Sequence, residues 1–221
     1  MASRSNPMKD LRGYLTPEQI KTILLEAKQS NMDHFVLLSL LFRTGRRVSE
    51  IVPLVDNKTR DKITTGLRPI DIDWDKGLAE FTILKKKKRP DALLPLDNYT
   101  LNLLYRYARI KRLQRDEPFF NITRQQVFKI VRKYTERVEI FRVGKKKPHP
   151  HHFRHSLAVA MVTNINRPQA IKLVQDQLQH SSLEMTANYL KFAQEDHKEA
   201  LEETFQKIRT KRSQTSPYNA D

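Results

Sequence analysis

Three separated stretches put cations or imidazoles where a phosphodiester could be held, and the last is followed by a phenol. The first is Thr44-Gly45-Arg46-Arg47-Val48-Ser49-Glu50, the second His151-His152-Phe153-Arg154-His155, and the third His180-Ser181-Ser182 with Tyr189 beyond. A guanidinium offers a planar fork of donors that matches two phosphate oxygens. Arg47 can serve that end, although a pair with Glu50 is the plainer local reading. His151 and Arg154 are three apart, so on a helix they share a face, and both can donate to the nonbridging oxygens of a pentacoordinate phosphorus. Tyr189 by itself reads as a core tyrosine with its hydroxyl satisfied. A phenol of pKa ~10 is a poor nucleophile at neutral pH unless cations or a base activate it. Two arginines and two histidines nearby would do so.

The elements that must position these groups are legible in outline. Thr16-Pro17-Glu18-Gln19 reads as a helix start, with Thr16 as cap, Pro17 in the first turn and Gln19 closing a capping box. Asp33 is expected to cap a second helix whose core face carries Val36, Leu37, Leu40 and Leu41. Gly45 ends or bends that helix, and a turn or short helix follows from Arg47 to Val52. Between 68 and 96 the pattern alternates: Ile70 and Ile72, a turn at Asp75-Lys76-Gly77, then Ala79, Phe81 and Ile83, and finally Leu93 to Leu96. This predicts a three-stranded antiparallel sheet with a lysine-rich hairpin tip. The rest reads as helix, opening at Asp97 or Asn98, at Thr123 (a second capping box with Gln126), near His151, at Gln169, and at Ser181 (a third box with Glu184). A last amphipathic segment runs from about Glu195 to Ile208. The fold class is therefore mainly α with a small three-stranded antiparallel sheet, α+β.

Charge points to the partner. The 221 residues include 41 basic and 25 acidic ones, a formal charge of +16. A field of that size attracts polyanions, and double-stranded DNA is the expected partner. Lys85-Lys86-Lys87-Lys88-Arg89, Arg106 to Arg115 and Lys145-Lys146-Lys147 are basic clusters, whereas Glu195 to Glu203 is acidic. The composition, 38% hydrophobic and 30% charged, is that of a globular domain. No apolar run approaches the ~20 residues that span a bilayer, and no signal segment opens the chain, so a cytoplasmic, DNA-associated location is expected. Cysteine is absent, which excludes disulfides and thiolate metal sites. His149, His151, His152 and His155 crowd together, but no carboxylate stands at ligand spacing among them, so no metal is expected.

The Thr-Gly-x-Arg-Val-Ser-Glu, His-x-x-Arg-His and His-Ser-Ser segments, with a tyrosine nine residues after His180, resemble the catalytic domain of the tyrosine recombinases, the phage integrase family. The resemblance covers about residues 15–195. It implies the integrase catalytic-domain fold, with Arg47, His151, Arg154 and His180 around the phosphate and Tyr189 as nucleophile. It also implies a catalytic lysine on the sheet hairpin. Counting from Gly77 favours Lys85, with Lys86 next, and counting back from Pro95 gives Lys87. Two positions depart from the family pattern: Gln179 stands where glycine is common, and Arg46 replaces an aliphatic residue. Arg46 is expected to add a phosphate contact, alongside Lys86, Lys87, Lys88, Arg124, Lys145, Lys146 and Lys147. Base-reading residues are expected in the basic helix around Arg124 to Arg137.

By the same resemblance the reaction is strand cleavage and rejoining through a 3′-phosphotyrosyl bond, with no cofactor. The alternatives are relaxation of the type IB topoisomerase kind and a non-catalytic DNA-binding regulator. The expected organisation is a leader or linker at 1–14, the catalytic domain at 15–193, a subunit-docking helical tail at 194–212 and a disordered end at 213–221. The short leader suggests a catalytic-domain fragment rather than a naturally short recombinase. A monomer when free and a homo-oligomer, a tetramer, on DNA are expected.

Overall fold

A computed structural model describes residues 13–55, 59, 62–82, 92–164 and 170–179. In chain order the elements are α1 (Pro17–Ser30), α2 (Met32–Thr44), α3 (Val48–Ile51), β1 (Leu54–Val55), β2 (Lys62–Thr64), β3 (Ile72–Asp73), β4 (Leu78–Phe81), β5 (Ala92–Pro95), α4 (Asn98–Lys111), α5 (Arg124–Arg137), α6 (Pro150–Asn164) and α7 (Ala170–Leu178). The fold is mainly helical. The expected three-stranded sheet is present in the order β3-β4-β5, antiparallel throughout, with Ile72 opposite Ala79 and Leu94 opposite Ala79 on the other side. A second, two-stranded pairing of β1 with β2 was not legible in the sequence. Its strands are too short to show an alternation.

α2 is the central element, buried from Phe35 through Leu41 and again at Thr44. A helix apolar on every side must be surrounded, and α1, α4 and α6 pack against it. The capping boxes at Thr16 and Thr123 form as the sequence predicts, and Asp97 caps α4. The cap of α2 is Asn31 rather than Asp33: its side chain accepts from the His34 N–H at 2.9 Å. Asp33 sits within the first turn, where its charge pairs with Lys111.

A smaller apolar cluster joins α6 to α7 through Ala158, Val159, Val174 and Leu178, and Tyr14 completes it. Tyr14, placed in the leader by its sequence surroundings, is only 3% exposed, so the packed domain begins at or before it. Its neighbour Leu15 donates its N–H to Ser156 Oγ at 2.8 Å, which ties the start of the domain to α6. Among the described residues no helix is long and apolar enough to cross a membrane. The third capping box, the tail at 194–212 and the end at 213–221 lie outside the described residues.

Candidate active site

Arg47 caps α3 and lies on the turn leaving α2. That turn depends on Gly45, which ends α2 with φ +62°. A Cβ at this position would meet the Leu178 side chain at 2.5 Å and the Leu157 side chain at 2.9 Å, so glycine is favoured by backbone conformation and spares those side chains of α6 and α7 a shift. The plainer reading of Arg47 holds in part. Its Nη1 donates to Glu50 Oε1 at 3.0 Å and its own N–H to Glu50 Oε2 at 2.9 Å. Glu50 is buried, while the Arg47 side chain keeps 22% exposure. A buried carboxylate thus braces a guanidinium that still reaches solvent.

Arg154 stands on α6 and closes the same corner from the other side. Its Nη1 donates to the Gly45 carbonyl at 2.6 Å, and its Nη2 donates to the Leu178 carbonyl at the end of α7. The α2–α3 turn, α6 and α7 therefore converge on one guanidinium. Arg154 is 4% exposed, so it does not stand beside His151 on an open face as the spacing alone suggests. His151 is the exposed member of the pair.

The four histidines form a stacked group. The His149 and His152 rings are 3.8 Å apart between centroids, His151 meets His149 edge-on at 6.0 Å, and Phe128 of α5 stacks on His149. The His149 N–H donates to His152 Nδ1 at 3.2 Å, so His152 carries its proton on Nε2. Desolvation, then the charges of Arg154, His149, Arg47 and Arg124, pull His151 down to about 4. Desolvation and the neighbouring histidines lower His152 to about 3 and, together with Arg154, His155 to about 4. These rings are neutral at pH 7, and His151 is an unprotonated imidazole able to take a proton. Arg154, Arg47 and Arg124 all oppose its protonation. Among the described residues no group of histidines and carboxylates is arranged to hold a metal ion.

Arg46 overturns its expected role. It is 2% exposed, its side chain lies over the Phe81 ring at 5.7 Å, and Nη2 donates to the Gln177 carbonyl. Its guanidinium faces the end of α7 rather than solvent, contrary to the exposed phosphate contact expected. Lys145, Lys146 and Lys147 are exposed on a short loop next to the histidines, and Lys146 contributes to lowering His149, His152 and His155. Arg124 lies over Phe128 at 5.7 Å. Lys129 and Arg132 continue its row on α5, beside an open groove of about 810 Å³ reached also from Pro53, Leu54 and Val55. Neither was singled out from sequence, though their spacing from Arg124 on an amphipathic helix was available to do it. Glu50 was likewise seen only as a partner of Arg47. Lys85, Lys86, Lys87, Lys88, His180 and Tyr189 lie outside the described residues.

A model of the phage integrase family matches residues 13–196. The chain is 29% identical over 214 residues to a tyrosine recombinase of Pseudothermotoga lettingae, covering 91% of this chain and 67% of that protein. It is 26% identical over 204 residues to the tyrosine recombinase XerA of Pyrococcus furiosus, covering 88% of this chain and 62% of that protein. The chain thus spans about two thirds or less of the length of these curated relatives. Among solved structures, the catalytic domain of bacteriophage HP1 integrase shares the fold with a TM-score of 0.58 at 22% identity, over 86% of this chain and 94% of that one. XerH site-specific recombinase bound to its palindromic difH substrate, in a post-cleavage complex, gives 0.65 at 20% identity, over 89% of this chain and 55% of that one.

Proposed function

We propose that this chain, which belongs to the phage integrase family, cuts and rejoins double-stranded DNA as a site-specific recombinase. The observation that carries the proposal is that Arg154 on α6 bonds the turn that carries Arg47 and the end of α7, with His151 three residues before it on the same helix. The Tyr189 oxygen attacks the scissile phosphorus, the bond to the 5′-oxygen breaks, and a 3′-phosphotyrosyl bond remains. His151 takes the phenolic proton, and a hairpin lysine, Lys85 by count, returns one to the leaving 5′-oxygen. Arg47 and His180 donate to the nonbridging oxygens, while Arg154 adds charge beneath them and holds the corner closed. Attack by another strand's 5′-hydroxyl reverses the step, so one phosphodiester is exchanged for another without loss of bond energy. The donors are fixed before charge develops, and removal of one costs ~10²–10³ in rate.

DNA is the substrate that this surface suits. The formal charge is +16, the named loop lysines and α5 cations are exposed, and XerH site-specific recombinase, which shares the fold, was solved on its DNA substrate. Assembly into a tetramer on DNA, through the tail at 194–212, belongs to the same proposal. The decisive test is covalent capture. Wild-type protein and the Tyr189→Phe variant are incubated with sheared genomic DNA, denatured with detergent and filtered to retain protein-linked strands. Wild type is expected to retain fragments ending at one recurring sequence, and the variant none. An adduct that survives Tyr189→Phe, or none with wild type, overturns the proposal. Relaxation of plasmids without site preference would instead indicate a topoisomerase.

A further inference from the structure

Arg46 is the one buried arginine of the site that the reaction above does not use. It is also the residue that departs from an aliphatic position. A guanidinium in the core carries a desolvation cost that an aliphatic side chain of similar volume avoids. The cost is visible here: Nε and Nη1 have no hydrogen-bond partner among the described residues, and desolvation holds the group down at about 10. Glu50 explains its presence only in part. That carboxylate forms a buried ion pair with Arg46 at 3.7 Å, beyond hydrogen-bond reach, and takes its hydrogen bonds from Arg47 at 3.0 Å and 2.9 Å.

What Arg46 does hold is the end of α7. Its Nη2 donates to the Gln177 carbonyl, Arg154 donates to the next carbonyl, Leu178, and the Gln177 side chain donates back to the Thr44 carbonyl at 3.1 Å. The last carbonyls of a helix lack internal partners and carry its negative end, so two guanidiniums are well suited to cap them. The cap has more to do because the next residue, Gln179, adopts φ +54°. That conformation is costly for any residue with a Cβ. In the sequence, His180 follows at once. Arg46 also lies over Phe81, the last strand residue before the stretch that carries the candidate lysines.

We propose that Arg46 is a positioning residue for the strand-cleavage step: it fixes the α7 terminus, from which the chain runs on to His180, against the α2–α3 turn that carries Arg47. The proposal rests on the role given to His180 above. The probe is the duplex recovered by covalent capture, nicked just 3′ of the cleavage point so that the released 5′-hydroxyl strand diffuses away. Arg46→Met should reduce single-turnover cleavage roughly 10- to 100-fold, the scale of a small misplacement of a reacting group. Its affinity for the same duplex should not fall, since the side chain is only 2% exposed. Any fall in its thermal midpoint, from the orphaned Gln177 carbonyl and the loss of the Glu50 pair, is offset in part by removal of a buried charge. His180→Ala should cost ~10²-fold, and adding R46M to H180A should cost little more, because residues acting through one another are not additive.

Equal costs of R46M in both backgrounds, or no cost in either, overturn the positioning role. A harmless H180A overturns instead the role of His180, and the two failures are distinct. If R46M does not fold, Arg46→Lys carries the same double-mutant comparison: it keeps the charge but not the fork, and additivity with H180A sinks the idea.

Discussion

Two sets of cations in this molecule obey opposite rules. Arg46 and Arg154 are buried, and the hydrogen bonds that they make run to main-chain carbonyls, from Arg46 Nη2 to Gln177 and from Arg154 to Gly45 and Leu178. Lys129 and Arg132 on α5 are exposed, and line open grooves. Coulomb attraction to phosphate is weakened by water and salt at the second set, whereas at the first the low dielectric makes each unsatisfied partner expensive. The contrast teaches that a basic residue in this sequence is either a strut or a DNA-facing charge, and that burial decides which. Net charge alone assigns both to DNA.

The largest effect expected from breaking that contrast comes at Arg154. Arg154→Ala orphans the Gly45 and Leu178 carbonyls and opens a cavity, so stability should fall by about 3 kcal/mol in a urea titration, and cleavage by at least ~10²-fold. A variant as stable as wild type would deny that Arg154 is a strut. The α5 cations should behave in reverse. Lys129→Ala with Arg132→Ala should leave stability within about 0.5 kcal/mol. It should lower the slope of log affinity against log salt by about 0.9 for each phosphate that the protein ceases to neutralise. Fluorescence anisotropy of a labelled duplex over a salt series measures this, and an unchanged slope would remove α5 from the interface.

A third comparison separates the histidines from both sets of cations. His151, His152 and His155 are held at about 4, 3 and 4 in the folded protein against an ordinary 6.5. The unfolded chain therefore binds more protons across that interval, and stability rises with pH through it. Stability should be complete above about pH 6.5 and decline as the pH falls toward 4. His152→Asn, which keeps an acceptor near Nδ1, should flatten the part of that decline owed to His152, with carboxylate titration common to both proteins. Identical urea midpoints against pH in the two proteins would show that the cluster is not held neutral.

Much of the fold was legible because its signals are local. Capping boxes at Thr16 and Thr123, the turn glycine before Arg47 and the alternation around Ala79 and Phe81 are all written within a few residues, and each formed as expected. The β1–β2 pairing was not legible, since two or three residues carry no periodicity. Asn31, not Asp33, caps α2, and Asp33 pairs instead with distant Lys111. In the site, Arg47 could be distinguished from Arg46 by its place before Val48-Ser49-Glu50, but the fate of Arg46 could not. Its burial depends on α7 arriving from 131 residues away.

By itself the sequence determined the family, the mainly helical architecture and the residue types of the site, because spacing on helices and turn chemistry depend on neighbours in the chain. Only the tertiary structure decided which arginines face solvent and which face the core. It also neutralised the histidines and turned Arg46 from an expected phosphate contact into a strut. Those outcomes follow from desolvation, a property of packed surroundings that no local pattern contains.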